Sequence, residues 1–207
     1  MNILIIGANG FTGRRILNDL VAREIYNITA CSLRNDIKSG DGYQFIRADI
    51  RNASEVRALF KEVCPDVVIN TSALSVPDFC ETHHNEARAT NITAVEHLAR
   101  ACEQYGSRFI HLSTDFVFDG RTDRLYTEED EPNPVNYYGI TKLEGEERVA
   151  ECCGNYAIVR VVVVYGKALP GQHGNIVQLV ANKLRSGETI RVVSDQWRTP
   201  TFVGDIS

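Results

Sequence analysis

The chain has 207 residues, 43% of them hydrophobic and 24% charged, and a formal net charge of -5. That balance suits one globular domain with at most a small appendage and excludes a disordered polymer. Both signs are interspersed, without the basic patch that a nucleic acid or an anionic membrane would need, and no apolar run approaches the ~20 residues of a membrane span.

The chain opens on NILII (2–6), an apolar strand, with no charged leader or cleavage site before it. The expectation is therefore a cytoplasmic protein. The strand runs into GANGFTG, where Gly7, Gly10 and Gly13 are spaced three apart, and TGRRILNDLVARE then reads as a helix. A tight turn needs one glycine, close backbone approach to a pyrophosphate a second, and helix-to-strand packing a third. The amides that open the helix would face the phosphates, which makes Gly7, Gly10, Phe11, Thr12 and Gly13 candidate dinucleotide contacts.

ITACS (28–32) reads as the second strand and leads into CSLRND. NAD-binding sheets usually place Asp or Glu here to hold the ribose 2′-hydroxyl, whereas this chain has Arg34 first and Asp36 further along. A guanidinium meets phosphate oxygens in a fork, so Arg34 suits a 2′-phosphate. The expected cofactor is NADP(H), with NAD(H) open as the alternative.

YQFI (43–46), DVVIN (66–70), RFIHL (108–112) and AIVRVVVV (157–164) read as further strands. They are apolar almost throughout, as strands covered on both faces are. ASEVRALFKEV and NEARATNITAVEHLARACEQYG lie between them as helices. In the second, Ala94, Leu98, Ala101 and Cys102 fall at helical spacing and Gly106 stands at the C-cap position. Strand and helix in alternation predict an α/β protein with a doubly wound parallel sheet. The stretch 117–136 is polar, carries two prolines and reads as a long loop. Past residue 165 the pattern loosens into a glycine-rich loop, GKALPGQHGN, a helix, NIVQLVANKLRSG, and a strand, TIRVVS (189–194).

The six cysteines, Cys31, Cys64, Cys80, Cys102, Cys152 and Cys153, show no CxxC spacing and read as reduced thiols. His83 and His84 are adjacent, so on a helix they diverge by about 100° and make poor joint ligands. No metal site is expected.

The fifth strand ends in HLSTDFVFDG, which puts Ser113, Thr114 and Asp115 at the carboxyl edge where such sheets bind ligands. Residues 136–142 read NYYGITK. Tyr138 and Lys142 are four apart and share a helix face, whereas Tyr137 and Lys142 are five apart and do not.

With GANGFTG, PDVVINTSA, STDFVFDG, PVNYYGITKLEGE and DQWRTPT, the chain resembles the extended short-chain dehydrogenase/reductase family and, within it, the dTDP-4-dehydrorhamnose reductase group. The resemblance implies an NADP-binding Rossmann domain over residues 1–165 and a partial substrate-binding lobe over 166–207. It also implies NADPH-dependent reduction of the 4-keto group of a nucleotide-linked 6-deoxy sugar, and it allows a homodimer. Tyr138 would act as general acid, Thr114 would hydrogen-bond the same oxygen, and Lys142 would lower the tyrosine pKa and bind the nicotinamide ribose. Asp49, with Ile50 beside it, matches the contact to adenine. Asn70, Thr71, Ser72 and Ala73 match the turn along the cofactor, and Asn91 the asparagine that often completes a tetrad. Asp115, Asn175, Trp197 and Arg198 are the further substrate candidates, the last two by stacking and by charge.

The chain also departs from that group. Val163 stands where rhamnose-pathway reductases carry a tryptophan, and Leu74 where an aromatic or histidine is typical. The chain stops at GDIS, with Asp205 placed like an N-cap, so a fragment or an incomplete lobe is expected. Related dehydratases use Thr-Asp-Glu where this chain has Thr114, Asp115 and Phe116, which leaves elimination without its glutamate. Epimerases use the same Tyr and Lys. VPDFCE and WRTPTFVGD resemble stretches of the regulatory beta subunit of methionine adenosyltransferase, an NADP-binding rival that turns over no sugar.

Overall fold

The computed structural model describes residues 1–38, 40–169, 172 and 174–207. Six parallel strands form one sheet in the order β3-β2-β1-β4-β5-β6: β1 Asn2–Ile6, β2 Asn27–Ser32, β3 Gln44–Arg47, β4 Val67–Asn70, β5 Arg108–Thr114 and β6 Tyr156–Val161. The order reverses between β1 and β4, and at such a switch point the carboxyl ends of the two strands part to leave a crevice. In register, Cys31, Ile6, Asn70 and His111 form one row across that edge.

The unbroken apolar character of β1 is explained by what covers it. Leu4 and Ile6 face a core shared with α2 (Ala53–Val63) and α5 (Ala94–Tyr105), through Val56, Leu59, Phe60, Leu98 and Cys102. Ile3 and Ile5 face the other side, with Ile16 and Leu17 of α1 (Phe11–Val21). The spacing in ASEVRALFKEV thus buries Val56, Leu59 and Phe60, and Asn52 caps the helix by accepting from the Ser54 amide. Gly106 ends α5 in the left-handed region, as its place in the sequence predicts. Two short helices, α3 (Pro77–Cys80) and α4 (His84–Arg88), lead through one wide π-turn, Ala89–Thr93, into α5.

Helix α6 (Tyr137–Cys152) carries the predicted tyrosine and lysine, and its inward stripe is Tyr138, Lys142, Glu146 and Val149. It comes unusually close to its neighbours at two glycines. A Cβ on Gly139 would meet the Phe116 carbonyl oxygen at 2.2 Å, and one on Gly145 the Asn91 carbonyl oxygen at 2.4 Å.

Two expectations change here. Residues 189–194 form no strand, and Val192 and Val193 are exposed. A strand needs a ladder, and past β6 the backbone pairs instead with residues 201–203, through Thr201 to Val162 and Val203 to Tyr165. β6 stops at Val161, because Val163 turns into the left-handed region with φ 39°. That conformation costs a β-branched residue on the order of 1–3 kcal/mol. Asp205 ends a single tight turn, Val203–Asp205. The helix α7 (Ile176–Arg185) forms as predicted but buries none of its residues. Of the glycine-rich loop before it, Pro170, Gly171 and His173 lie outside the described residues.

Gly145→Ala is expected to lower unfolding stability by about 1–3 kcal/mol in urea titrations, since the Asn91 backbone must give way. Gly154→Ala, whose nearest contact would be 3.7 Å away, should change it little.

Candidate active site

The glycine turn is shaped by close approach. Gly7 has φ +81°, and a Cβ there would meet the Ser72 amide nitrogen at 2.8 Å. A Cβ on Gly13 would meet the Gly7 carbonyl oxygen at 2.4 Å. The Thr71 hydroxyl donates to the Ile6 carbonyl at 2.9 Å and locks the turn after β4 against the end of β1. Gly10 offers no side chain to cap α1. Among the described residues the first-turn amides, on Phe11, Thr12 and Gly13, have no acceptor in the chain and are open to one from outside. A pyrophosphate fits such a turn.

Beyond β2 the predicted pair divides. Arg34 is exposed, and only its carbonyl is held, by Asn9. Asp36 is engaged by the buried Arg14 and by the Tyr43 hydroxyl, which donates to it at 2.6 Å. Burial pulls this carboxyl up, but the bonds from Tyr43 and Arg14 win and hold it below the ordinary carboxylate range. Asp36 is thus committed to the protein and is not a free ribose ligand.

Asp49 is likewise occupied, by Arg51 at 2.7 Å, whose hydrogen bonds lower its pKa. Ile50 packs its side chain into the core and leaves only backbone for a ligand. Asn70, Thr71, Ser72 and Ala73 do form the turn between β4 and the glycines.

Tyr138, not Tyr137, faces the sheet edge. Tyr137 is half-buried and stacks on His84 at 3.7 Å. Tyr138 is 8% exposed and packs against Leu74, Cys80 and Phe116. Burial pushes its phenol up to about 12, against the opposing effect of a polar contact with the Thr114 hydroxyl. Thr114 ends β5, is itself buried, and accepts from the Phe116 amide at 3.3 Å.

Lys142 is held by polar atoms of β5. Its Nζ donates to the Leu112 carbonyl at 2.8 Å and lies 3.2 Å from His111 Nε2. Burial lowers the ammonium to about 8, partly offset by Glu146 one turn on. Asp115 and Cys80 also raise the Tyr138 phenol. Asn91 is fully buried and ties Leu74 (2.8 Å from its amide nitrogen) to Thr141 (3.0 Å). It holds the turn after β4 against α6 and contacts neither Tyr138 nor Lys142 through those bonds.

The substrate candidates separate in the same way. Arg198 reaches back to Asp115 at 2.5 Å and lies over the Phe116 ring at 4.4 Å, which puts both beside Thr114 and Tyr138. Trp197 is 97% exposed. Asn175 caps α7, accepting from the Gln178 amide and donating to the Gly166 carbonyl, so both its polar ends are used.

Three residues escaped the sequence reading. His111 sits between Asn70 and Lys142, Arg160 clamps Glu146 at 2.6 Å, and Gln172 donates to the Asn9 and Gly10 carbonyls. His111 had a visible signal, a titratable side chain inside an otherwise apolar strand; the other two are long-range contacts without one. Among the described residues no helix is long and apolar enough to cross a membrane.

The profile of the RmlD substrate-binding domain family matches residues 1–207. A probable low-salt glycan biosynthesis reductase of Haloferax volcanii is 36% identical over 100% of this chain and 68% of its own length. The beta subunit of methionine adenosyltransferase 2 from Danio rerio is 30% identical over 99% of this chain and 61% of its own. A dTDP-4-dehydrorhamnose reductase of Bacillus anthracis, crystallised with NADP, superposes with a TM-score of 0.86 at 31% identity, over 99% of this chain and 67% of that one. The chain thus spans about two thirds or less of the length of these relatives. Its glycine turn, strand order and full-length match agree: the chain belongs to the RmlD substrate-binding domain family, that of the dTDP-4-dehydrorhamnose reductases.

Proposed function

We propose that the chain carries the reducing centre of an NADPH-dependent reductase acting on the 4-keto group of a nucleotide-linked 6-deoxy sugar. The observation that carries this reading is the burial of Thr114, Tyr138 and Lys142 together at the end of β5, beside an uncapped helix N-terminus. When bound at the glycine turn, the nicotinamide dinucleotide supplies the hydride. Tyr138 holds the proton: with its phenol pushed up to about 12, it stays protonated at neutral pH and can donate to the forming alkoxide. The Thr114 hydroxyl is a second donor to the same oxygen. The apolar cluster of Leu74, Cys80 and Phe116 excludes water from that proton. Asp115 and Arg198 form the polar wall next to it, and the guanidinium is the group for a substrate diphosphate. Residues 166–207 would be the part of the substrate lobe that brings Arg198 back.

NADP(H) is favoured over NAD(H) by charge. Asp36, the carboxylate of the β2 turn, is neutralised by Arg14, and Arg34 stands free of ion pairs among the described residues. A 2′-phosphate there meets a cation and no bare anion.

A regulatory reading is favoured by one observation, the 30% identity to a methionine adenosyltransferase beta subunit over 99% of the chain. The two readings part on turnover. With a dTDP-4-keto-6-deoxy sugar the wild type should oxidise NADPH, and Tyr138→Phe should lose roughly 10²–10⁴-fold in rate while its NADPH affinity is kept. Stable NADPH binding without oxidation, together with retention of a methionine adenosyltransferase catalytic subunit in a pulldown, would transfer the chain to the regulatory class.

Arg34→Ala should weaken NADPH binding by roughly 10–100-fold, the weight of a hydrogen bond to a charged group, and leave NADH binding unchanged. An unchanged ratio of the two dissociation constants removes Arg34 from the site. Arg198→Ala should raise the sugar-nucleotide KM by about tenfold with no change in NADPH affinity; steady-state kinetics at saturating NADPH reads it.

A further inference from the structure

A backbone amide can only donate, and that fixes the proton positions in a buried chain of side chains beneath the site. The Ser72 N–H donates to Asn70 Oδ1 at 3.0 Å, and the Ser72 hydroxyl donates to the same atom at 2.6 Å. The Asn70 Nδ2 then faces His111 Nδ1 at 3.0 Å. An amide nitrogen also only donates, so Nδ1 is the acceptor and carries no proton. A neutral imidazole in that state carries its proton on Nε2, and Nε2 faces Lys142 Nζ at 3.2 Å. An ammonium has three donors and no acceptor, so a charged Lys142 would set N–H against N–H. A neutral amine has the lone pair that Nε2–H needs, and one of its own hydrogens goes to the Leu112 carbonyl at 2.8 Å.

We propose that His111 is a positioning residue that holds Lys142 as a neutral amine while no dinucleotide is bound, and that charging Lys142 forces a concerted rearrangement of the chain back to Ser72. In that rearrangement the His111 Nε2 proton passes to Nζ, a proton from water is taken onto Nδ1, and the Asn70 amide turns over to accept from it. The net change is the uptake of one proton. It frees the Ser72 N–H, which abuts the glycine turn, as the 2.8 Å approach to a Gly7 Cβ shows. Binding of a dinucleotide that uses either the lysine charge or the freed amide is thereby tied to proton uptake.

The surroundings leave this chain in control. Glu146 of α6 favours the ammonium but is clamped by Arg160 of β6. Tyr138, on the same helix, keeps its proton, and Asn91 of the π-turn is neutral. His111 is the titratable group that β5 presents, and burial holds it neutral, well below the usual imidazole range. Burial lowers Lys142 only to about 8, which alone would leave the ammonium in excess at pH 7; the clash of an ammonium N–H with the His111 Nε2–H carries it the rest of the way. The link to dinucleotide binding rests on the reductase reading; the resting proton state does not.

Long-range ¹H–¹⁵N NMR of the dinucleotide-free wild type at pH 7, with His111 assigned by its loss in His111→Gln, should show a bare Nδ1 and a protonated Nε2. A protonated Nδ1 overturns the proposal. In lysine-¹³Cε spectra at the same pH Lys142 should be uncharged; a charged Lys142 overturns it equally. In His111→Gln the side-chain carbonyl can accept from an ammonium, so the Lys142 protonation equilibrium should move toward the charged form by about tenfold. If that variant does not fold, the wild-type spectra assigned by elimination among the five histidines decide alone. NADPH titrated into weakly buffered wild type should take up a proton, and binding without uptake overturns the linkage. No NADPH binding at all refutes the reductase reading instead and leaves the resting state to the NMR.

Discussion

The site exists because α6 can lie against the end of β5 closely enough to bury an amine. A buried lysine carries a desolvation cost of several kcal/mol unless its hydrogens find acceptors. Here the acceptor is a strand carbonyl, Leu112, reached only because Gly139 and Gly145 let the helix approach the backbone of Phe116 and Asn91 without a side chain between them. The π-turn at Ala89–Thr93 belongs to the same constraint. It presents the Asn91 carbonyl to Gly145 and the Asn91 amide to Leu74 and Thr141, so one residue sets the separation of α6 from both α5 and the turn after β4. Wide turns of this kind inside helices often stand at functional sites.

That geometry also explains why Tyr138 and Lys142 end up doing different work. Both face β5, yet the tyrosine sits in an apolar cluster of Leu74, Cys80 and Phe116, while the lysine sits over polar β5 atoms one turn away. Burial moves both groups toward their neutral forms, raising the phenol and lowering the ammonium. A protonated phenol is the proton donor that the proposed reduction calls for. The lysine is left to respond to what binds in the crevice, through His111, Asn70 and the Ser72 amide.

Much of this was legible from local pattern. The strands covered on both faces, the glycine turn and the four-residue spacing of Tyr138 and Lys142 are local statements, and local statements survive folding when sheet packing does not contest them. What the pattern could not carry is pairing at a distance. The sequence left Asp36 without a role; its pairing with Arg14, on another element, supplies one. Asn175 entered as a substrate candidate, and its role as the cap of α7 was not legible. TIRVVS had strand composition, but a strand without a neighbour does not form, and the backbone past β6 is taken by 201–203. Helix α6 was harder to see by apolar periodicity than the other helices for a physical reason: its buried stripe holds Tyr138, Lys142 and Glu146, so the face that packs inward reads as polar.

The last link is the return of residues 195–203 to the site, and it begins at a strained residue. Val163 leaves the extended region, which ends β6 and swings the chain so that Tyr165 can exchange hydrogen bonds with Thr201 and Val203. Those bonds fix the segment that follows Arg198, and Arg198 in turn closes on Asp115 and covers Phe116, the ring that packs edge-on against Tyr138. A valine held at positive φ is a cost without local compensation, and such strain persists where surrounding structure over-determines it. Here the over-determination is visible: three backbone hydrogen bonds between 162–165 and 201–203 on one side, and an ion pair with a cation–π contact on the other. The wall of the active site opposite α6 is therefore set by backbone pairing at the end of β6. Position 163 thus bears on Arg198 through backbone conformation, with no side-chain contact between them needed.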